Sequence, residues 1–190
     1  MSHAVATLAG GCFWCIETVF NRLRGVESAL SGYMGGHTAN PTYADICNGD
    51  TGHAEVVQVR FDPDVISYRE LLEIFFTLHD PTQLNRQGPD SGTQYRSTVF
   101  TSDPAERKVV EAYIAQLNAA KVYRSKIATT LEPLQGFYPA EEYHQDYLTL
   151  HPGQPYIVIN DLPKIENLKK IFAENYREKP ALVRDARASN

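Results

Sequence analysis

The chain has 190 residues, 18 of them basic and 23 acidic, for a formal net charge of −5; 43% of positions are hydrophobic and 22% charged. This balance excludes a disordered or fibrous chain and predicts one globular domain over 1–190 with a sizeable core. The modest acidic excess gives no footing for nucleic acid or an anionic membrane, and the most apolar early stretch, 4–16, falls short of the roughly 20 residues a bilayer-spanning helix needs.

The opening "AVATLAGG" predicts a short strand running into glycines. Ile16, Val19, Phe20 and Leu23 then recur at the helical period, so "CFWCIETVFNRL" predicts a helix begun near Cys12 and stopped at Gly25. "VESALSGYMGG" reads as a second strand, and residues 36–52, rich in Pro, Asn, Asp, Thr and Gly, as a loop long enough to imply a function. In "HAEVVQVRF" the alternation is clear: Val57, Val59 and Phe61 face one way, Gln58 and Arg60 the other. "DPDVISYREL" leads into a helix with an apolar stripe of Tyr68, Leu71, Leu72 and Phe75. A second polar loop, 80–92, precedes the strand "QYRSTVF". Ser102 or Asp103 then caps a helix with Pro104 in its first turn and Val110, Tyr113, Ile114 and Leu117 facing the core. "KIATTLEPL" reads as a final short strand, "PAEEYHQDYL" as a short helix, and 162–176 as a terminal helix packed on the outside. Strand–helix–strand, repeated, predicts an α+β fold in which a split βαβ sheet carries helices on one face. Its core spans about 4–150, 151–190 is peripheral, and both glycine-containing loops can gather around one site.

Three cysteines cannot all pair within one chain, and no basic export leader precedes them. A reducing, cytoplasmic setting is therefore expected, in which Cys12, Cys15 and Cys47 are reactive, metal-binding or buried thiols. Cys12-Phe13-Trp14-Cys15 is the sharpest local feature. At a helix start, the Cys12 sulfur lies beside unpaired backbone N–H groups, which predicts a pKa lowered from about 8.5 toward neutrality. Cys15, at i+3, is within reach to attack an oxidised Cys12. Two other readings share these residues: a pair of buried hydrophobes, and a zinc site of Cys12, Cys15, Cys47 and His53. Phe13 and Trp14 either wall a small apolar pocket selecting a methyl or thioether, or simply pack in the core.

Glu55 shares parity with Val57, Val59 and Phe61. Its carboxyl then points to the buried face, where desolvation raises its pKa above about 4.3 and makes it a proton donor; the alternative is a wet sheet edge. Tyr43 and Tyr95 are candidate hydroxyl donors, and Asp90, in "RQGPDSGTQYR", is a candidate site carboxylate or turn cap. His53, His79 and His144 read as hydrogen-bonded structural groups.

With these residues in view, the sequence resembles the A-type peptide methionine sulfoxide reductases. The matching stretches are "GCFWCIE", "SGYMGG", "PTYADICNGDTGHAEVVQVRFDP", "FFTLHDPTQLNRQGPDSGTQYRS" and "FYPAEEYHQDYL". The resemblance implies an α/β sandwich around a ferredoxin-like split βαβ core and no bound cofactor or metal. It implies the S epimer of methionine sulfoxide as substrate, free or in peptides and oxidised proteins, and thioredoxin as reductant. Position by position, it implies Cys12 as nucleophile, Phe13 and Trp14 as holders of the substrate methyl, and Glu55 as acid. Tyr43 and Tyr95 stand where the family binds the sulfoxide oxygen, and Asp90 where it holds the substrate. Many members have glycine in place of Cys15 and use cysteines near the C-terminus; the tail "KPALVRDARASN" has none. Cys15 is therefore the candidate resolving thiol, forming a Cys12–Cys15 disulfide after a Cys12 sulfenic acid. Cys47 is a distant second, expected as a buried thiol beside the loop. A general thiol–disulfide oxidoreductase and a zinc-stabilised binding module are the alternatives.

Overall fold

The computed structural model describes residues 3–188. β1 (Ala4–Gly10) sends Ala6 and Leu8 into the main core and Ala9 to the opposite face. α1 (Phe13–Phe20) follows at once and buries Phe13, Ile16, Val19 and Phe20, a contribution of about 1.5–3 kcal/mol for each fully covered large apolar side chain. The helix ends before the expected Gly25. Arg22 and Leu23 donate i→i+3 bonds to Val19 and Phe20, both 3.2 Å, and tighten its end. Gly25, at φ +85°, instead makes the turn into β2 (Val26–Met34).

The 36–52 segment is not all loop. Thr42 and Asp45 cap each other's backbone and start α2 (Tyr43–Asn48), which closes on Gly49 at φ +78°. Six residues burying only Ile46 leave no periodicity to read. β3 (Ala54–Phe61) and α3 (Tyr68–Leu78) follow as expected, α3 opened by a Ser67–Glu70 capping box. The second loop contains a small hairpin, β4 (Arg86–Gln87) with β5 (Asp90–Ser91), and a 3₁₀ turn at Thr93–Tyr95. Tyr95 thus lies in that turn, and the strand β6 is shorter than expected (Ser97–Phe100). Asp103 caps α4 (Pro104–Ala119), and β7 (Thr130–Glu132) follows. It is not the last strand, because β8 (Tyr138–Pro139) pairs with Gly32 and Tyr33 of β2. The expected "PAEEYHQDYL" helix is thereby divided into β8, a 3₁₀ turn at Glu142–His144 and α5 (Tyr147–Leu150), with Asp146 left-handed between the last two.

The main sheet has the order β7-β6-β1-β3-β2-β8. β1 and β2 are both antiparallel to β3, hence parallel to each other, with α1 crossing between them. β3 and β6 stand in the same relation across β1, with α3 as the crossover. Val57, Val59 and Phe61 join Leu72 and Phe75 in the large core, while Ala54, Val56, Met34 and Phe100 form a small second one.

The C-terminal segment departs most from expectation. A π turn at Ile157–Asp161 runs into α6 (Leu162–Ile171). Ile157, Asp161 and Leu168 are fully buried, and the segment packs on α1 and α3 instead of lying outside them. α7 (Val183–Ala188) is anchored by the backbone N–H of Val183, which donates to Asp146 Oδ1 at 3.0 Å. Residues 151–188 therefore contribute to the core and are not merely peripheral.

Candidate active site

The site forms where β1 turns into α1. Gly11 makes that turn at φ +98°, and a Cβ on it would lie 2.6 Å from Cβ of Gln87, so only glycine fits. Cys12 then occupies the N-cap, nearly buried. The next amide, Phe13 N–H, donates to Glu55 Oε2 at 3.0 Å, which ties the carboxyl to the start of the helix. Glu55 lies opposite Tyr33 in the β2–β3 ladder, on the face its parity predicts, and is 2% exposed. Burial pushes its pKa up to about 8, against the lowering pull of the Phe13 amide, with the charges of Asp90 and Cys15 adding to the rise. At neutral pH it is predominantly a carboxylic acid.

Cys12 and Cys15 are both free thiols that line one recess and couple electrostatically, in keeping with their i+3 spacing. Their electrostatics reverse the expectation for Cys12. Burial above all, then its bond to Cys15 and the nearby charge of Glu55, hold the Cys12 thiol well above the ordinary range. The helix start cannot offset this, because the Phe13 amide is engaged by Glu55 and the Cys15 amide by the Cys12 carbonyl at 3.1 Å. Cys15 is instead the more acidic sulfur, lowered to about 6 by its bond to Cys12, against burial, with help from Lys164 and Asp161.

Tyr43 opens α2, its N–H donating to Glu141 Oε1 at 2.7 Å. Tyr95 comes from the 3₁₀ turn after the hairpin. Burial and then the charge of Glu55 raise both phenols, so the two hydroxyls, from separate elements, lie within electrostatic reach of the carboxyl and carry their protons. Asp90 Oδ2 accepts from the Tyr156 hydroxyl at 2.5 Å. A recess of about 100 Å³ is lined by Cys12, Cys15, Gln87–Asp90, Tyr156, Asn160 and Lys164. Phe13 and Trp14 do not line it. Phe13 is 1% exposed, packed against Tyr33 and His144 at 5.8 and 5.0 Å between ring centres. Trp14 stacks on Tyr147 at 3.8 Å and meets Tyr156 edge-on at 5.9 Å, while its Nε1 donates to His144 Nδ1 at 3.1 Å.

Several of these partners gave no sequence signal as site residues. His144 sits among Phe13, Trp14 and Tyr43, and Glu141 accepts from Tyr33 and Tyr43. Tyr156 and Asp161 arrive from the π turn, Asp161 sharing a short hydrogen bond with Cys15. His53 and His79 are structural as expected: His53 bonds Gly36 N and Thr38 O, and His79 bonds Phe75 O and Ser97 Oγ. Cys47 is exposed, not buried, one turn of α2 beyond Tyr43. With both His53 nitrogens engaged, the zinc set of Cys12, Cys15, Cys47 and His53 does not assemble. Among the described residues no group of three or more His, Cys, Asp or Glu could hold a metal ion. No described helix is long and apolar enough to cross a membrane.

The chain is similar to known proteins along most of its length. The family model described as peptide methionine sulfoxide reductase matches residues 4–176. Peptide methionine sulfoxide reductase MsrA of Natronomonas pharaonis is 56% identical over 171 residues, covering 90% of this chain and 96% of that protein. Reduced Mxr1 from Saccharomyces cerevisiae superposes with a TM-score of 0.72 at 40% identity, over 80% of this chain and 87% of that one. Mxr1 in its complex with Trx2 gives 0.52 at 30% identity, over 75% of this chain and 84% of that one.

Proposed function

The chain belongs to the peptide methionine sulfoxide reductase family, and from that premise we propose that it reduces the S epimer of methionine sulfoxide, free or in peptides and oxidised proteins, and is recycled by thioredoxin. The observation that carries the reading is the buried Glu55 acid, tied to the amide beside Cys12 and within electrostatic reach of the phenols of Tyr43 and Tyr95. A general thiol–disulfide exchanger needs none of these three groups.

A sulfoxide sulfur is electrophilic, but its oxygen leaves only when protonated. Tyr43, Tyr95 and Glu55 hold the oxygen, Trp14 faces the methyl group with the buried Phe13 packed behind it, and Asp90 steadies the rest of the substrate. The opposite epimer would set its oxygen against aromatic walls without a donor. Cys12 attacks the sulfur while Glu55 protonates the oxygen and the Cys15 thiolate, the form its lowered pKa favours at neutral pH, takes the Cys12 proton. The hydroxyl then passes from the substrate sulfur to the Cys12 sulfur as the old S–O bond and the new S–S bond both break, so methionine leaves and Cys12 becomes a sulfenic acid. The proton passed to Cys15 returns to Glu55. Cys15 then attacks the Cys12 sulfenic sulfur, water departs, and an external dithiol reduces the disulfide. The complex of Mxr1 with Trx2 supports thioredoxin in that role.

Residues 1–190 act as one catalytic unit on this reading, and the free thiols suit a reducing, cytoplasmic setting. The test is a thioredoxin-coupled assay with separated epimers. Turnover with the S epimer alone is expected. Equal turnover of both, or disulfide reduction without sulfoxide reduction, overturns the assignment.

A further inference from the structure

Asp161 is a buried titratable group beside the sulfurs that the scheme above leaves unused. The π turn at Ile157–Asp161 brings it beside α1 from the far end of the chain, fully buried. π turns recur at functional sites because the wider turn re-aims a side chain. Its Oδ1 shares a short hydrogen bond with Cys15 Sγ, while Oδ2 is buried without a hydrogen-bond partner. A lone buried carboxyl oxygen is costly to keep unless it serves some purpose. Around it stand Cys12, Cys15, Tyr156, Asp90 and Lys164, the last an ammonium one helical turn further along α6.

We propose that Asp161 is the proton donor of the recycling step: the proton it shares with Cys15 leaves with the Cys12 sulfenic oxygen as water when the Cys12–Cys15 disulfide forms. The inference rests on the reading that Cys12 becomes a sulfenic acid. In that step the Cys15 sulfur supplies the electron pair of the new S–S bond, the S–O bond breaks toward oxygen, Cys15 is oxidised and the sulfenic sulfur reduced. Hydroxide is a poor leaving group, and the shared proton turns it into water. Asp161 is left as a carboxylate near the Lys164 ammonium. Reduction by the external dithiol returns two electrons and two protons, one to Cys12 and one to the Cys15–Asp161 pair. This division of labour gives the site two acids, Glu55 for the sulfoxide oxygen and Asp161 for the sulfenic oxygen.

The test separates the two half-reactions in single turnover without reductant. Methionine release is followed by chromatography and loss of sulfenic acid by trapping with a carbon nucleophile and mass spectrometry. Asp161→Asn is expected to slow disulfide formation relative to methionine release by about 10²-fold, the usual loss for a general acid, with Asp161→Glu recovering part of it. Disulfide formation in step with methionine release, as in the unmodified protein, overturns the proposal, as does an equal slowing of both steps, which marks a merely structural residue. Should Asp161→Asn not fold, the pH profile of the unmodified protein decides. The sulfenic acid should persist longer as pH rises through about 9, where the Cys15–Asp161 pair loses its proton, and a flat profile there overturns the proposal. Absence of methionine release from the unmodified protein would instead sink the reductase reading itself.

Discussion

Replacing Glu55 by Gln separates what this residue does for chemistry from what it costs the fold. Burial moves its pKa from 4.5 to about 8, so at pH 7 about nine in ten molecules hold the proton, against well under one in a hundred for an ordinary glutamate. Gln preserves the shape and the acceptor for the Phe13 amide but has no proton to give. Methionine release in single turnover should fall by about 10²–10⁴-fold. In the unmodified protein it should decline as pH rises through about 8; in the variant that limb should vanish. Stability should move the other way. Between 4.5 and about 8 the folded chain holds a proton that the unfolded chain has released, so folding takes up a proton and stability falls as pH rises. At pH 7 the climb of about 2.5 pH units above 4.5 corresponds to roughly 3 kcal/mol of lost stability. Because Gln does not titrate, Glu55→Gln should gain on the unmodified protein by about this amount between pH 4.5 and 7, whatever fixed offset the new amide introduces. Denaturant melts of both proteins at a series of pH values read the difference directly. A stability difference that does not change with pH, or an unchanged rate of methionine release, would refute the buried-acid reasoning.

Cys12→Ser should release no methionine even in a first turnover; retained release would move the nucleophile elsewhere. Cys15→Ser should still release about one methionine per chain, because Cys12 alone can be oxidised, but lose thioredoxin-driven turnover; sustained turnover would mark Cys47 or another route as the resolver. Gly11→Ala should destabilise the fold by about 1–3 kcal/mol through its positive φ, before counting the clash with Gln87, and a melt unchanged from the parent would contradict the tight β1–α1 turn. Trp14→Phe keeps an aromatic ring on Tyr147 but loses the bond to His144, so KM for the sulfoxide should rise more than kcat falls.

The core strands and long helices were legible because their alternation is physical: β3 buries every odd side chain from Glu55 to Phe61, and Glu55 could be placed on the wet-or-dry question by counting. The CxxC pair was legible for the same reason, since i+3 on a helix is a fixed distance. Local signals failed where the structure is decided elsewhere. α2 is too short for periodicity and is held by its Thr42–Asp45 cap. The lowered Cys12 pKa was expected from free helix amides, but Glu55, 42 residues away in sequence, takes the first of them. Tyr156 and Asp161 lie more than 140 residues from Cys12 and Cys15, on a π turn that has no sequence period, so nothing short of the fold could bring them to the sulfurs. The same distance explains why the C-terminal segment looked peripheral. The expected apolar wall of Phe13 and Trp14 is not what lines the recess: Phe13 faces inward to Tyr33, and Trp14 only touches Tyr156, which does line it.

Everything in the proposed chemistry passes through one oxidised intermediate on Cys12 and its capture by the sulfur three residues on. The most direct measurement is peptide mapping by mass spectrometry after the reduced protein meets each separated sulfoxide epimer with no reductant present. The S epimer should yield about one methionine per chain and a single new disulfide joining Cys12 to Cys15, with Cys47 still free and the R epimer inert. Methionine formed without that crosslink, a crosslink to Cys47, or equal reaction of both epimers would contradict it.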